Sequence, residues 1–219
     1  MKIYLDTADA RQWVLPAGCP PVIGVTTNPT LVKQAGIAVS LSGYLQLIAQ
    51  AGQAQMAELM LQLPHTALDE AAQWLDELLP AAQRVDVRLT IKLPCHPDWQ
   101  ALLQYVRSIG VPTLLTGLSN PMQLLWARSQ GADFVAPYVG RLQAQGRDVW
   151  SLIGACVALQ SDGLMLLAAS IKSADVLSRL IAAKAHAVTL RPEFAAELAT
   201  DPITLAAMAQ FDLDTQASL

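Results

Sequence analysis

From Val85 to Pro94 apolar and polar residues alternate strictly. Val85, Val87, Leu89, Ile91 and Leu93 share one face, and Asp86, Arg88, Thr90 and Lys92 share the other. A period of two predicts a strand. Pro94 predicts its end, since proline cannot donate to a ladder. Seven further apolar segments read as strands: 3–6, 24–28, 57–63, 113–118, 134–139, 164–170 and 187–190. Between them lie helical patterns. Residues 69–79 place Ala72, Leu75 and Leu79 at helical spacing. Residues 97–109 start at a proline, carry Leu102, Val106 and Ile109 on one side, and stop at Gly110. Ser119/Asn120 followed by Pro121 is an N-cap with proline at the first helical position, and Gly131 ends that helix. Ser173 starts another, running to about Ala185. Strands alternating with helices mean βαβ units and a parallel sheet. Eight strands in 219 residues predict a single (β/α)8 barrel spanning residues 1–219. Residues 1–200 would form the barrel and 201–219 an extra C-terminal helix.

In such a barrel one strand face meets the outer helices and the other meets the lumen. Lys92 then stands in the lumen at the C-terminal rim, where barrel enzymes keep their reactive groups. Burial would lower its pKa and leave a nucleophilic amine, able to form a Schiff base with a ketone. Taken alone, a strand lysine is usually a solvated residue on a half-exposed antiparallel strand. The other strands change that balance. The same alternation puts Asp6, Thr26 with Asn28, Glu58, Thr116, Tyr138 and Ser170 on the lumen side. Polar groups carry a desolvation cost in a barrel that Val, Ile and Leu would fill better. Asp6 or Glu58 offers a carboxylate for proton transfer and Tyr138 a phenol. Asn28 and Thr116 can hold water or a substrate hydroxyl. Arg141 and Lys172, just past strands six and seven, join Ser170 as a candidate phosphate grip.

Composition narrows the function classes. Hydrophobic residues make up 53% and charged residues 15%, with a net charge of −4. No basic run suggests nucleic acid, and no apolar run reaches membrane-spanning length. No glycine-rich dinucleotide or triphosphate loop occurs. Cys19, Cys95 and Cys156 are odd in number and unpatterned, which fits a reducing cytoplasm. Cys95 reads as a small buried filler.

At these residues the chain resembles the transaldolase family, in its short branch with the fructose-6-phosphate aldolases. The motifs that carry the resemblance are Tyr4-Leu-Asp-Thr7, Gly24-Val-Thr-Thr-Asn-Pro29, Ile91-Lys-Leu-Pro94, Val135-Ala-Pro-Tyr-Val-Gly-Arg141 and Leu167-Ala-Ala-Ser-Ile-Lys172. The resemblance implies that Lys92 forms a Schiff base with a ketose phosphate and that Asp6 assists proton transfer in C3–C4 cleavage. It implies that Glu58 and Thr116 position a water beside Tyr138. Asn28 would hold substrate hydroxyls, with Thr26 beside it, and Arg141, Ser170 and Lys172 would take the phosphate. No metal and no organic cofactor is implied, because the iminium is the electron sink. A cytoplasmic homo-oligomer is implied, a pentamer or decamer, with the C-terminal helix reaching a neighbour.

Two markers point in opposite directions. A glutamate at position 58 resembles transaldolases, whereas Tyr138 resembles the aldolases. The aldolase reading, cleaving fructose 6-phosphate to dihydroxyacetone and glyceraldehyde 3-phosphate, competes with transfer of the dihydroxyacetone unit to an aldose phosphate. A barrel that binds sugar phosphates without turnover is the alternative outside enzymes. Departures from the pattern fall at the rim: Gly117-Leu-Ser-Asn-Pro121, His96, Leu190-Arg-Pro192 and a longer connection over 66–84. His96 reads as either a mouth acid–base group or a surface residue, and His65 and His186 read as structural.

Overall fold

The computed structural model describes residues 1–64 and 67–216. His65 and Thr66, at the start of the long connection, lie outside them. The barrel begins with β1 (Lys2–Asp6), β2 (Gly24–Thr26), α1 (Pro29–Gln34), α2 (Leu41–Gln53), β3 (Glu58–Gln62) and α3 (Leu68–Arg84). It continues through β4 (Arg88–Pro94), α4 (Gln100–Ser108), β5 (Thr113–Leu118), α5 (Pro121–Ser129), β6 (Phe134–Pro137), α6 (Val139–Ala144) and α7 (Val149–Ala158). It closes with β7 (Met165–Ala168), α8 (Ala174–Ala182), β8 (Ala187–Leu190) and α9 (Pro192–Ala199), followed by α10 (Pro202–Gln216). The eight strands are all parallel and pair in sequence order, with β8 returning to β1. This is a (β/α)8 barrel with an extra C-terminal helix.

Local chemistry explains the boundaries. The side chains of Asn28, Asn120 and Ser173 each accept the N–H of the residue three positions on, capping α1, α5 and α8. Gly110 and Gly131 take φ values of 76° and 71° where α4 and α5 end. Four expectations are corrected. The alternation at Val85 and Asp86 is not strand: Val85 caps α3, Asp86 has φ 56°, and β4 begins at Arg88. Helix α3 runs through Pro80 to Arg84, and its core face is Ala71, Leu75, Leu78 and Ala82. Pro97–Trp99 is a 3-10 turn that leads into α4, and Ile109 lies exposed beyond that helix. Helix α8 stops at Ala182.

Two apolar layers result. The larger fills the space between sheet and helices, with Leu5, Val25, Leu59, Ile91, Leu115 and Val188 pointing outward from the strands. The smaller plugs the lumen: Tyr4, Met60, Leu114, Phe134, Ala136, Leu167 and Ala187. Below that plug, at the N-terminal end of the strands, sits Glu58. It accepts the Tyr4 hydroxyl at 2.5 Å, and the Arg88 guanidinium pairs with the same carboxylate. The Lys2 ammonium lies 4.0 Å away. Burial raises the Tyr4 pKa, with Arg88 opposing, so the phenol stays a donor. His186 packs against Phe134 nearby, and burial, then Lys2 and the N-terminus, lowers its pKa.

Glu58, expected beside the catalytic groups, lies apart from the cavity at the C-terminal mouth. Glu58 faces the lumen, as the alternation requires, but it is the first residue of β3, and the plug separates it from the C-terminal mouth. Its neighbours make it a clasp at the barrel floor. Glu58→Gln should therefore lower stability by about 1–3 kcal/mol, the range for a buried partner lost from a charge-assisted hydrogen bond. Tm should fall by about 2–4 °C for each kcal/mol. Thermal unfolding measures the change. An unchanged Tm with an altered reaction rate would put Glu58 back into the chemistry.

Candidate active site

A cavity of about 550 Å³ opens at the C-terminal end of the barrel. Asp6, Asn28, Lys92, Thr116, Tyr138, Arg141, Ser170 and Lys172 all line it. The register brings them together: Asp6 lies beside Thr26 on β2, and Pro94, two residues beyond Lys92, lies beside Thr116. Leu114, Ala136 and Leu167 belong both to the cavity wall and to the lumen plug, so the floor is dry.

Lys92 is 6% exposed, and its ammonium donates to the Thr27 carbonyl at 2.6 Å. Burial lowers its pKa from 10.5 to about 8, while the Asp6 carboxylate opposes the fall. At pH 7 about a tenth of Lys92 is then free amine, against roughly one part in three thousand for an ordinary lysine.

Asp6 is itself oriented. Thr26 Oγ1 lies 3.1 Å from Asp6 Oδ1 and 2.7 Å from Thr189 Oγ1. A carboxylate only accepts, so Thr26 donates to Asp6 and Thr189 donates to Thr26. Thr26 is buried behind Asp6 and does not line the cavity; it positions the carboxylate instead of touching a ligand. Thr189 does line the cavity, and only its place opposite the apolar residues of β8 could have signalled it. Asn28 accepts the Leu31 N–H through Oδ1 at 3.0 Å. That capping bond leaves the amide NH2 as the group for a ligand.

Thr116 and Tyr138 hydroxyls meet at 2.5 Å at the neighbouring ends of β5 and β6. The register between β5 and β6 slips between Thr116 and Leu118, at Gly117 with φ 79°. A glycine there allows the bulge that turns the strand end and lets Thr116 reach Tyr138. Arg141 lies over the Tyr138 ring, 4.5 Å from its centroid.

The β6 and β7 ends are locked to one another. Val139 and Gly140 N–H donate to the Ala169 and Ser170 carbonyls, both at 2.9 Å. Ser170 holds φ 61°, a left-handed conformation uncommon outside glycine. A Cβ on Gly140 would stand 2.6 Å from the Ser170 oxygen and 3.0 Å from the Lys172 side chain. This close approach fixes Arg141 against Ser170 and Lys172, and it needs glycine at 140.

Residues 3–218 match the family model described as transaldolase/fructose-6-phosphate aldolase. The chain belongs to that family. The family consists of class I aldolases and transaldolases, and this protein is an enzyme of that kind. Sugar phosphates are the substrates that fit the family.

Other candidates lie elsewhere. His96 caps the 3-10 turn, its Nδ1 accepting the Asp98 N–H at 3.3 Å, and lies outside the cavity lining. Cys95 is buried with its thiol toward the Gln123 carbonyl, and burial pushes its pKa up to about 12. Arg191, Glu193, Phe194 and Glu197, from the end of β8 and α9, line the cavity but had no strand or helix periodicity to announce them. Among the described residues no three His, Cys, Asp or Glu side chains gather as a metal site, and no helix is long and apolar enough to cross a membrane.

The Lys92 environment has a pH signature. Protonated amine cannot attack a ketone, so kcat/KM should rise with pH through about 8 and then level off. Asp6→Asn removes the charge that favours the ammonium, so the limb should move to lower pH. The rate of Lys92 arylation by trinitrobenzenesulfonate, which releases sulfite and leaves a trinitrophenyl group followed by peptide mass, reads this directly. An unmoved limb would contradict the coupling.

Proposed function

We propose that this enzyme is a Schiff-base aldolase that cleaves or forms fructose 6-phosphate, with Lys92 as nucleophile. The observation that carries the aldolase reading is the Tyr138–Thr116 hydroxyl pair facing the cavity, together with the position of Glu58 at the far end of the barrel. Glu58 was the marker that favoured a transferase. At the plug, β3 presents Met60, which exchanges no proton.

The steps balance as follows. The Lys92 amine adds to the C2 ketone, and water leaves to give the iminium. Asp6 takes the proton of the C4 hydroxyl. The C3–C4 bond breaks, its electron pair moves to the iminium as an enamine, and glyceraldehyde 3-phosphate departs. The enamine is protonated at C3 by way of Tyr138 and Thr116. Water then adds at C2, releasing dihydroxyacetone and restoring the amine. The Asn28 amide holds substrate hydroxyls, while Arg141, Ser170 and Lys172 take the phosphate. The iminium is the electron sink, so neither a metal nor an organic cofactor has a task in this sequence.

Assembly and location complete the proposal. Helix α10 exposes Ile203, Leu205, Met208, Phe211 and Leu213, by as much as 80% at Ile203. That apolar surface supports a homo-oligomer, a pentamer or decamer, in which α10 covers a neighbouring copy. Sedimentation velocity at micromolar concentration should show the oligomer; a monomer would contradict it. Free thiols at Cys19, Cys95 and Cys156 support a cytoplasmic enzyme.

Acceptor dependence separates the two activities. Fructose 6-phosphate alone should yield glyceraldehyde 3-phosphate, measured by coupled reduction. Tyr138→Phe should shift the balance from free cleavage toward transfer to erythrose 4-phosphate by at least about tenfold. Strict dependence on an added aldose phosphate would overturn the aldolase reading in favour of transaldolase.

A further inference from the structure

We propose that Arg191 is a specificity-determining residue, a third cation that joins Arg141 and Lys172 in gripping a phosphate monoester. This rests on reading the cavity as a sugar-phosphate site, and it adds a residue outside that grip. Arg191 follows β8 and precedes Pro192, which restricts it to extended backbone; it has φ −65° and ψ 139°. That geometry carries its side chain to the C-terminal rim, where it lines the cavity that holds Lys92.

Its place in the cavity lining, together with the lack of a carboxylate partner, marks it. Arg11, Arg88 and Arg128 each sit against a carboxylate. Among the described residues, Arg141, Lys172 and Arg191 have no carboxylate at ion-pair distance. Three unpaired cations that line one mouth repel one another until an anion enters. Glu193 and Glu197 line the same mouth without reaching ion-pair distance of these cations; Glu193 Oε1 accepts from the Gln12 amide at 3.1 Å, and Gln12 is held by the Thr7 hydroxyl at 2.7 Å. That chain ties the carboxylate to the segment after β1.

The backbone supplies a second, independent contribution. Helix α9 starts at Pro192 with no side-chain cap, leaving first-turn N–H groups open at the mouth. The loops after strands seven and eight, with a helix N-terminus beside them, are a recurrent phosphate site in barrels. Ser170 and Lys172 supply the strand-seven side, and Arg191 with the start of α9 supplies the strand-eight side. A guanidinium on this side can bind two phosphate oxygens at once, which an ammonium cannot.

The test compares phosphorylated with unphosphorylated ketose. For Arg191→Gln, the ratio of kcat/KM for fructose 6-phosphate to that for fructose should fall about tenfold to a hundredfold. Arg191→Lys keeps the charge and should recover part of the ratio, which also guards against a variant that fails to fold. An unchanged ratio in Arg191→Gln would overturn the proposal. Calorimetric titration with inorganic phosphate judges it without turnover: affinity should weaken at least about tenfold in Arg191→Gln, and equal affinities would overturn it. If wild-type protein binds phosphate through Arg191 but forms no adduct on Lys92, the Schiff-base reading falls and the anion grip stands.

Discussion

The whole site depends on one lysine kept almost dry. Lys92 extends from β4 into a lumen whose floor is apolar, and that floor destabilises its charged form. From an ordinary 10.5 to about 8 the shift corresponds to about 3 kcal/mol against the ammonium. That is the net effect, after the Asp6 carboxylate has favoured the ammonium; the Thr27 carbonyl accepts one of its hydrogen bonds. The two influences together leave an amine that is still protonated for the most part at neutral pH yet readily freed. Asp6 has a double relation to it, as the charge that steadies the ammonium and, in the proposed reaction, as the base for a substrate hydroxyl. The hydroxyl chain from Thr189 through Thr26 keeps that carboxylate aimed.

The barrel separates its polar groups by height. At the floor, Tyr4, Glu58 and Arg88 close the lumen with a hydrogen-bonded clasp. At the rim, hydroxyls, an amide and unpaired cations surround the cavity. Between them Met60, Leu114 and Leu167 keep the two sets apart. Rim precision comes from backbone contacts: the lock between residues 139–140 and 169–170 ties the cations past β6 to the loop past β7. The loop conformation at Ser170 persists because both neighbours hold it.

Much of this was legible in the residues, and the failures have a common physical cause. Side-chain alternation reports which face of a strand a residue occupies, so Asp6, Lys92, Thr116 and Tyr138 could be assigned to the lumen. It says nothing of height, and height is what sends Glu58 to the floor and Lys92 to the rim. The register that sets height comes from pairing between strands, which no single segment displays. Val85 and Asp86 alternate with the strand that follows although they form the turn before it. Arg191 lies where periodicity ends, so only the departure of Leu190-Arg-Pro192 from the family pattern marked it. Thr26, assigned to the lumen side beside Asn28, lies behind the cavity wall and donates to Asp6.

The most direct test of the central claim is covalent. Protein incubated with fructose 6-phosphate and borohydride should gain one dihydroxyacetone-sized adduct per chain, and peptide mapping should place it on Lys92. Folded protein that carries no adduct, or carries it on another lysine, would contradict the account.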